Sequence, residues 1–277
     1  FLFQEECNTF YRLATGGNDS RVNIWKVSLN DILDIKKPIE TIDCLAELTQ
    51  HQRSVNIVRF SPNLDDNLLA SGDDDSLIFV WKLCDNENNS KCVNTENGKN
   101  HTKIENGDNL EDAISLEIWK NYKILRGHNQ DVTDISWSKD GQNLVSGSVD
   151  NNVFVWDVHR GTKLHKVVKE HLGYVQGVAW DPLNKYISSL SADRNMLIFN
   201  VKSGKTLHRV YKITYGDEEK KTSSKLFYDQ TLQSFCRRLS FSPGGELLFA
   251  PSGIFETNSD DYKNTVYIFE RNSLNRY

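Results

Sequence analysis

Ser146, His128 and Asp150 are the residue types of a hydrolytic triad, in which an imidazole takes a hydroxyl proton and a carboxylate orients the imidazole. Their spacing speaks against that chemistry. An Asp precedes an aromatic by six residues at Asp19–Trp25, Asp75–Trp81, Asp150–Trp156 and Asp193–Phe199. A Ser or Thr sits four residues before each Asp, at Thr15, Ser71, Ser146 and Ser189. Three of these sets have a His upstream: His51, His128 and His171. An enzyme has no use for several copies of one site, whereas a repeated fold unit does. No Gly-x-Ser-x-Gly elbow, phosphate loop or His-Glu-x-x-His pair occurs in the 277 residues. The run Asp73-Asp74-Asp75 lacks the ligand spacing of a calcium loop and reads as an exposed turn. The expectation is therefore no catalytic residue, no metal and no cofactor.

The repeated set has a structural use. An Asp in a tight turn accepts from backbone N–H groups and from an imidazole. The imidazole bridges to a hydroxyl, and the hydroxyl reaches an indole N–H. Each bond contributes on the order of 1 kcal/mol net. Phe199 has no N–H, so the fourth set should be shortened.

These residues sit on short strands of period two. After His128 come Val132–Trp137, the turn Ser138–Gly141, the strand Asn143–Gly147, the turn at Asp150, and Val153–Trp156. A fourth strand, Tyr122–Leu125, runs into Gly127-His128. His51 and His171 lead to Val55 and Phe60, and to Val175 and Trp180, at the same offsets. A fifth copy keeps Cys236–Phe241, Leu247–Phe249 and Val266–Phe269, with Leu232 at the His position and Lys263 at the Asp position. In the first copy Phe3 matches Phe60. Residues 84–117 are rich in Asn, Glu and Lys with little apolar periodicity, and read as a disordered insertion. Gly216–Lys225 and Phe255–Asn264 read as shorter insertions.

Composition bounds the rest. At 38% hydrophobic and 26% charged, the chain can bury a large core. No apolar run reaches the length of a membrane span. Five Cys form an odd count without a CxxC pair, which argues against a disulfide framework or structural zinc site. The N-x-S/T patterns at Asn18, Asn88 and Asn100 read as chance matches in a reducing compartment. A net charge of −5 does not suit direct DNA binding, which needs a basic face. No basic-then-apolar leader follows Phe1, and the true N-terminus is expected upstream.

The set Gly127-His128, Ser146, Asp150 and Trp156-Asp157 resembles the WD-repeat (WD40) family, whose blades are four-stranded antiparallel sheets set in a ring. The resemblance implies an all-β, WD40 β-propeller fold over residues 1–277 as one domain, shortened at both ends, with about five repeats recognisable and seven blades in the full protein. Two longer segments narrow this: Gly173–Asn184 continuing to Arg194, and Ser234–Gly245 continuing to Gly253. Both are similar to the family of chromatin assembly factor 1 middle subunits, as are Ala14–Asp19 and Arg271–Leu274. That resemblance implies a nuclear, non-enzymatic scaffold for replication-coupled deposition of histones H3–H4. It would join the large and small subunits of chromatin assembly factor 1, with histones bound directly or through the large subunit. An anti-silencing-type histone chaperone would bind a tail beyond Tyr277. The related HIRA, of the replication-independent pathway, also carries a Gly-Val-x-Trp-Asp-Pro segment; Arg237-Arg238 and Pro251-Ser252-Gly253 favour the former. A ubiquitin-ligase substrate receptor would need an adaptor-binding motif, and a propeller hydrolase a non-repeating polar cluster; neither is visible.

Partner contacts are expected on rim positions. The residues just before each first strand are Arg53, Ser54, Gln130, Asp131, Tyr174 and Phe235, at one mouth of the ring. Arg53, Tyr174, Gln176, Phe235, Arg237 and Arg238 are the candidates for partner binding, since Tyr and Arg are enriched at interface hot spots.

Overall fold

A computed structural model describes residues 4–5, 8–28, 42–84, 117–167, 170–215, 222–258 and 261–274. The expected insertion at 84–117 lies outside them except for its two ends, as does Phe3.

The described residues form an all-β chain of antiparallel sheets. Sheet one orders β1 (Gln4–Glu5), β2 (Asn8–Gly16), β3 (Val22–Ser28) and β4 (Asp43–Leu48). Sheet two orders β5 (Val55–Phe60), β6 (Leu68–Asp73), β7 (Leu77–Leu83) and β8 (Trp119–Arg126). Sheet three holds β9 (Val132–Trp137), β10 (Asn143–Ser148), β11 (Val153–Asp157) and β12 (Thr162–Val167). Sheet four holds β13 (Val175–Trp180), β14 (Tyr186–Ser191), β15 (Met196–Asn200) and β16 (Thr206–Val210). A hairpin of β17 (Lys212–Tyr215) and β18 (Thr222–Lys225) follows. Then come β19 (Ser240–Phe241), β20 (Leu247–Asn258) and β21 (Asp261–Glu270) in one sheet, and a 3-10 turn at Arg271–Ser273.

The strand before His128 does not belong to its sheet. Tyr122–Leu125 lies in β8, which pairs with β7 of the preceding sheet. The sequence repeat is thus offset from the sheet by one strand, and each repeat boundary links two sheets covalently.

Successive sheets stack face to face. One buried cluster joins Ile57, Ile78 and Val80 of sheet two to Ile135, Leu144, Phe154 and Trp156 of sheet three. Another joins Val145 and Val155 of sheet three to Val178, Trp180, Ile187 and Phe199 of sheet four. Adjacent residues on one strand therefore serve different interfaces: Leu144 faces back and Val145 forward. That is why β11 and β14 are buried on both faces, where a sheet with one face in water would alternate buried and exposed. Each such Phe or Trp is worth roughly 1.5–3 kcal/mol of burial.

The fifth unit departs from expectation. Of Cys236–Phe241 only Ser240 and Phe241 are strand. Residues 255–258 and 261–264 are strand: β20 and β21 pair beyond the expected strand ends, with Phe255 opposite Lys263. Lys263 thus lies in a strand and not in a turn matching Asp150. Thr222–Lys225 likewise is strand.

Candidate interaction surface

The tight turn after the second strand of each unit sets the staple. The residue following the Asp has a left-handed backbone in four copies: Ser20, Ser76, Asn151 and Arg194 (φ 64°, 64°, 66° and 70°). In sheets three and four this turn directs the Asp carboxylate at the preceding His.

In sheet three the protons can be followed. Trp156 Nε1 donates to Ser146 Oγ at 2.8 Å, and Ser146 Oγ lies 2.7 Å from His128 Nε2. His128 Nδ1 meets Asp150 at 3.1 and 3.2 Å, and Asp150 also accepts from Asn129 N and Asn152 N. Burial lowers the pKa of His128 against the opposing pull of Asp150, so the imidazole is neutral, with its proton on Nδ1. Ser146 then donates to Nε2, and every group is satisfied. Burial resists the charge on Asp150, but its hydrogen bonds from His128, Asn129 and Asn152 outweigh that and hold its carboxyl well below the usual range. Sheet four repeats the arrangement with His171, Ser189 and Asp193, and ends at Ser189 because Phe199 cannot donate. Burial again opposes the Asp193 charge, and His171 with the Leu172 and Asn195 N–H groups brings it down to about 2. In sheet one, among the described residues, Trp25 donates to Thr15 at 2.8 Å, and Asp19 caps Arg21 N.

Sheet two corrects the sequence reading. His51 Nδ1 contacts Asp73 Oδ2 at 2.6 Å, not Asp75. Asp73 is fully buried and its other oxygen accepts from Asp75 N and Leu77 N. Asp75 is exposed, 3.6 Å from Arg53. Asp73 occupies the position of Ser148 and Ser191, whose hydroxyls accept from the following Asp N–H in the other sheets. Counting from the His finds it: His51–Asp73, His128–Asp150 and His171–Asp193 are all 22 residues apart. Ser71 and Trp81 sit as expected, with Ser71 Oγ 2.6 Å from His51 Nε2 and 2.8 Å from Trp81 Nε1. The His, Ser and Trp of the staples in sheets two, three and four are internal, whereas the Thr15–Trp25 pair of sheet one is exposed.

A second polar series links the sheets. Asn56 donates to Val132 O, Thr133 to Val175 O, and Gln176 to Ser234 O and Phe235 O. Each is the second residue of an inner strand and reaches into the next unit. Gln176 is therefore buried and structural, and it is not available to a partner. Arg237 is also buried, its guanidinium donating to the carbonyls of Tyr228 and Asp229. Its backbone N donates to Gln176 O at 2.7 Å. A Cβ on Gly177 would lie 2.0 Å from Arg237 O, so only glycine permits this approach. The two longer segments singled out in the sequence thus pack on each other as one joint.

Arg238 stays exposed. It reaches Asn56 O at 3.1 Å and Asp134 Oδ1 at 3.4 Å. Asp134 is buried beneath it, accepting from Val178 N at 3.0 Å. Burial pushes the Asp134 carboxyl up to about 6, against Val178 N–H and the guanidinium groups of Arg59 and Arg238.

Exposed positions remain among the residues on the loops that lead into β5, β9, β13 and β19. Arg53, Gln130, Tyr174, Phe235 and Leu172 are exposed, and Leu172 reaches 81%. Among the described residues, no group of three His, Cys, Asp or Glu is placed to hold a metal ion.

Comparison with known proteins adds the following. The sequence profile of the CAF1B/HIR1 beta-propeller domain matches residues 2–277. The CAF1B-type subunit of chromatin assembly factor 1 from Mus musculus is 40% identical over 267 residues, covering 96% of this chain and 43% of that protein. Its Saccharomyces cerevisiae namesake is 34% identical over 281 residues, covering 95% and 58%. Protein HIR1 of Gibberella zeae is 36% identical over 156 residues, covering 55% of this chain and 13% of its own. The chain spans about half the length of the chromatin assembly factor 1 relatives it matches.

Proposed function

Because the chain belongs to the CAF1B/HIR1 β-propeller family, we propose that it is the propeller of a non-enzymatic scaffold subunit for replication-coupled deposition of histones H3–H4. In the full protein the stacked sheets close into a seven-bladed ring, which removes the open sheet edges that invite aggregation. The protein works in the nucleus. It holds the large subunit of chromatin assembly factor 1, joins the small subunit, and receives H3–H4 directly or through the large subunit. An anti-silencing-type chaperone binds beyond the propeller.

One observation carries the reading: relatives named as chromatin assembly factor 1 subunits align over 95–96% of the chain, whereas the HIR1 relatives align over 55%. The residues that resemble a triad support a scaffold role, since each is consumed by an internal staple.

Tyr174, Phe235, Arg238 and Arg53 are the contact residues. Pairwise co-purification of the full-length protein with the large subunit, with H3–H4, and with a HIRA-type partner tests the reading. Capture of the large subunit, lost when Tyr174 and Phe235 are together replaced by Ala without a change in melting temperature, supports it. Capture of a HIRA-type partner in its place overturns it.

A further inference from the structure

The residues preceding β5, β9 and β13 occupy one equivalent position: Ser54, Asp131 and Tyr174. Their equivalence is visible in the backbone, where Val149 N donates to Asp131 O as Ala192 N donates to Tyr174 O. The chemistry of this row changes abruptly. Over sheet four and the segment after it, Tyr174 and Phe235 are 52% and 47% exposed, with Leu172 on the same loop as Tyr174. Leu172 and Tyr174 share one loop, and Gln176, two residues after Tyr174, holds the Phe235 carbonyl, which brings the three large exposed residues to one part of the surface.

Over sheets two and three the row is acidic. Asp74 accepts from Asn56 at 2.7 Å, and its backbone N donates to Ser54 O. Among the described residues no cation forms an ion pair with Asp74 or Asp131, and Arg53 is engaged by Asp75. Burial first, and then the charges of Asp74 and Asp73, raise the pKa of Asp131. The two halves touch, because Thr133 of β9 bonds Val175 O at the start of β13.

We propose that this surface takes an extended segment of a partner protein in which a large apolar side chain lies about three residues from a lysine or arginine. The apolar group sits on Leu172 and Tyr174 over sheet four, with Phe235 beyond them, and the cation on Asp131 over the adjoining sheet three, with Asp74 behind it. The spacing follows from stacked sheets lying about 10 Å apart and an extended chain rising about 3.3 Å per residue. A cation there relieves the repulsion of two carboxylates, which is the charge complementarity that selects this partner over an acidic one. The inference rests on this surface being a docking face, and it specifies what docks.

The test uses the full-length protein and a fluorescein-labelled 12-residue synthetic peptide, with one Leu and one Lys three positions apart in a Ser/Gly background. Controls carry Glu for Lys, or Ser for Leu. Anisotropy should give binding about tenfold tighter for the Leu/Lys peptide than for either control, a difference of about 1.4 kcal/mol. Tyr174→Ala, and Asp74→Asn with Asp131→Asn, should each abolish that preference at unchanged melting temperature. Equal binding of the Glu peptide, indifference to the Asn pair, or no binding at millimolar peptide overturns the inference. Large-subunit capture that still depends on Tyr174 would leave the docking face standing while its proposed ligand fell.

Discussion

Asp73 and Asp75 are two residues apart, and replacing each by Ala should have very different consequences. Asp73→Ala removes a fully buried carboxylate that satisfies His51 Nδ1 at 2.6 Å, Asp75 N at 3.0 Å and Leu77 N at 2.9 Å. A buried donor left unpaired costs roughly 1–3 kcal/mol. The two turn amides can recover water, whereas the His51 side chain, fully buried, cannot. The expected loss is therefore about 1–3 kcal/mol. Asp75→Ala removes an exposed carboxylate 3.6 Å from an Arg53 side chain that is itself 70% exposed. Screened surface pairs of that kind are worth about 0–1 kcal/mol. Urea unfolding followed by tryptophan fluorescence should shift the midpoint strongly for Asp73→Ala and barely for Asp75→Ala, with similar slopes. A His51→Ala/Asp73→Ala double-mutant cycle should return a coupling of about 1–3 kcal/mol. Equal losses from the two single variants, or a larger loss at Asp75, would refute the assignment of the staple.

Asp134 gives a pH signature of opposite sign to an ordinary ion-paired carboxylate. Its folded pKa of about 6 lies above the unfolded value, so its favourable contribution is complete below about pH 4 and is lost as pH rises through 6. Asp134→Asn should match the wild type near pH 4 and exceed it by roughly 1–3 kcal/mol at pH 7.5 in urea titrations, and a less stable variant at pH 7.5 would contradict this. Arg271→Ala breaks a bidentate pair with buried Asp181, at 2.6 and 2.7 Å, and should cost about 2–4 kcal/mol in the same assay. Gly177→Ala should lower the thermal midpoint by several degrees, because the added methyl cannot coexist with Arg237 O; an unchanged midpoint would mean the joint is looser than described.

The repeat, its short strands and the staples of sheets three and four are legible from spacing, because the same turn recurs and needs the same residue types, whereas the pairing of β8 with the preceding sheet is not. Asp73 was hidden because counting ran from the aromatic. The hairpin before β6 is longer in sheet two, so His-to-Ser spacing grows from 18 to 20 while His-to-carboxylate spacing stays at 22. Gln176 and Arg237 looked like surface residues because a sequence does not reveal that one inner strand's polar side chain bridges to the next unit. The extended pairing of β20 and β21 was hidden for a different reason. Residues 255–264 are mostly polar and aromatic, so β-propensity without an apolar alternation did not separate strand from insertion.

The central claim is that the propeller is a docking scaffold for the chromatin assembly factor 1 large subunit. Pairwise co-purification of the full-length protein tests it most directly. The account predicts that the large subunit is retained on the wild type and lost from the Tyr174→Ala/Phe235→Ala variant, with the fold intact by circular dichroism. A variant that still retains the large subunit, or a wild type that captures a HIRA-type partner in its place, would contradict it.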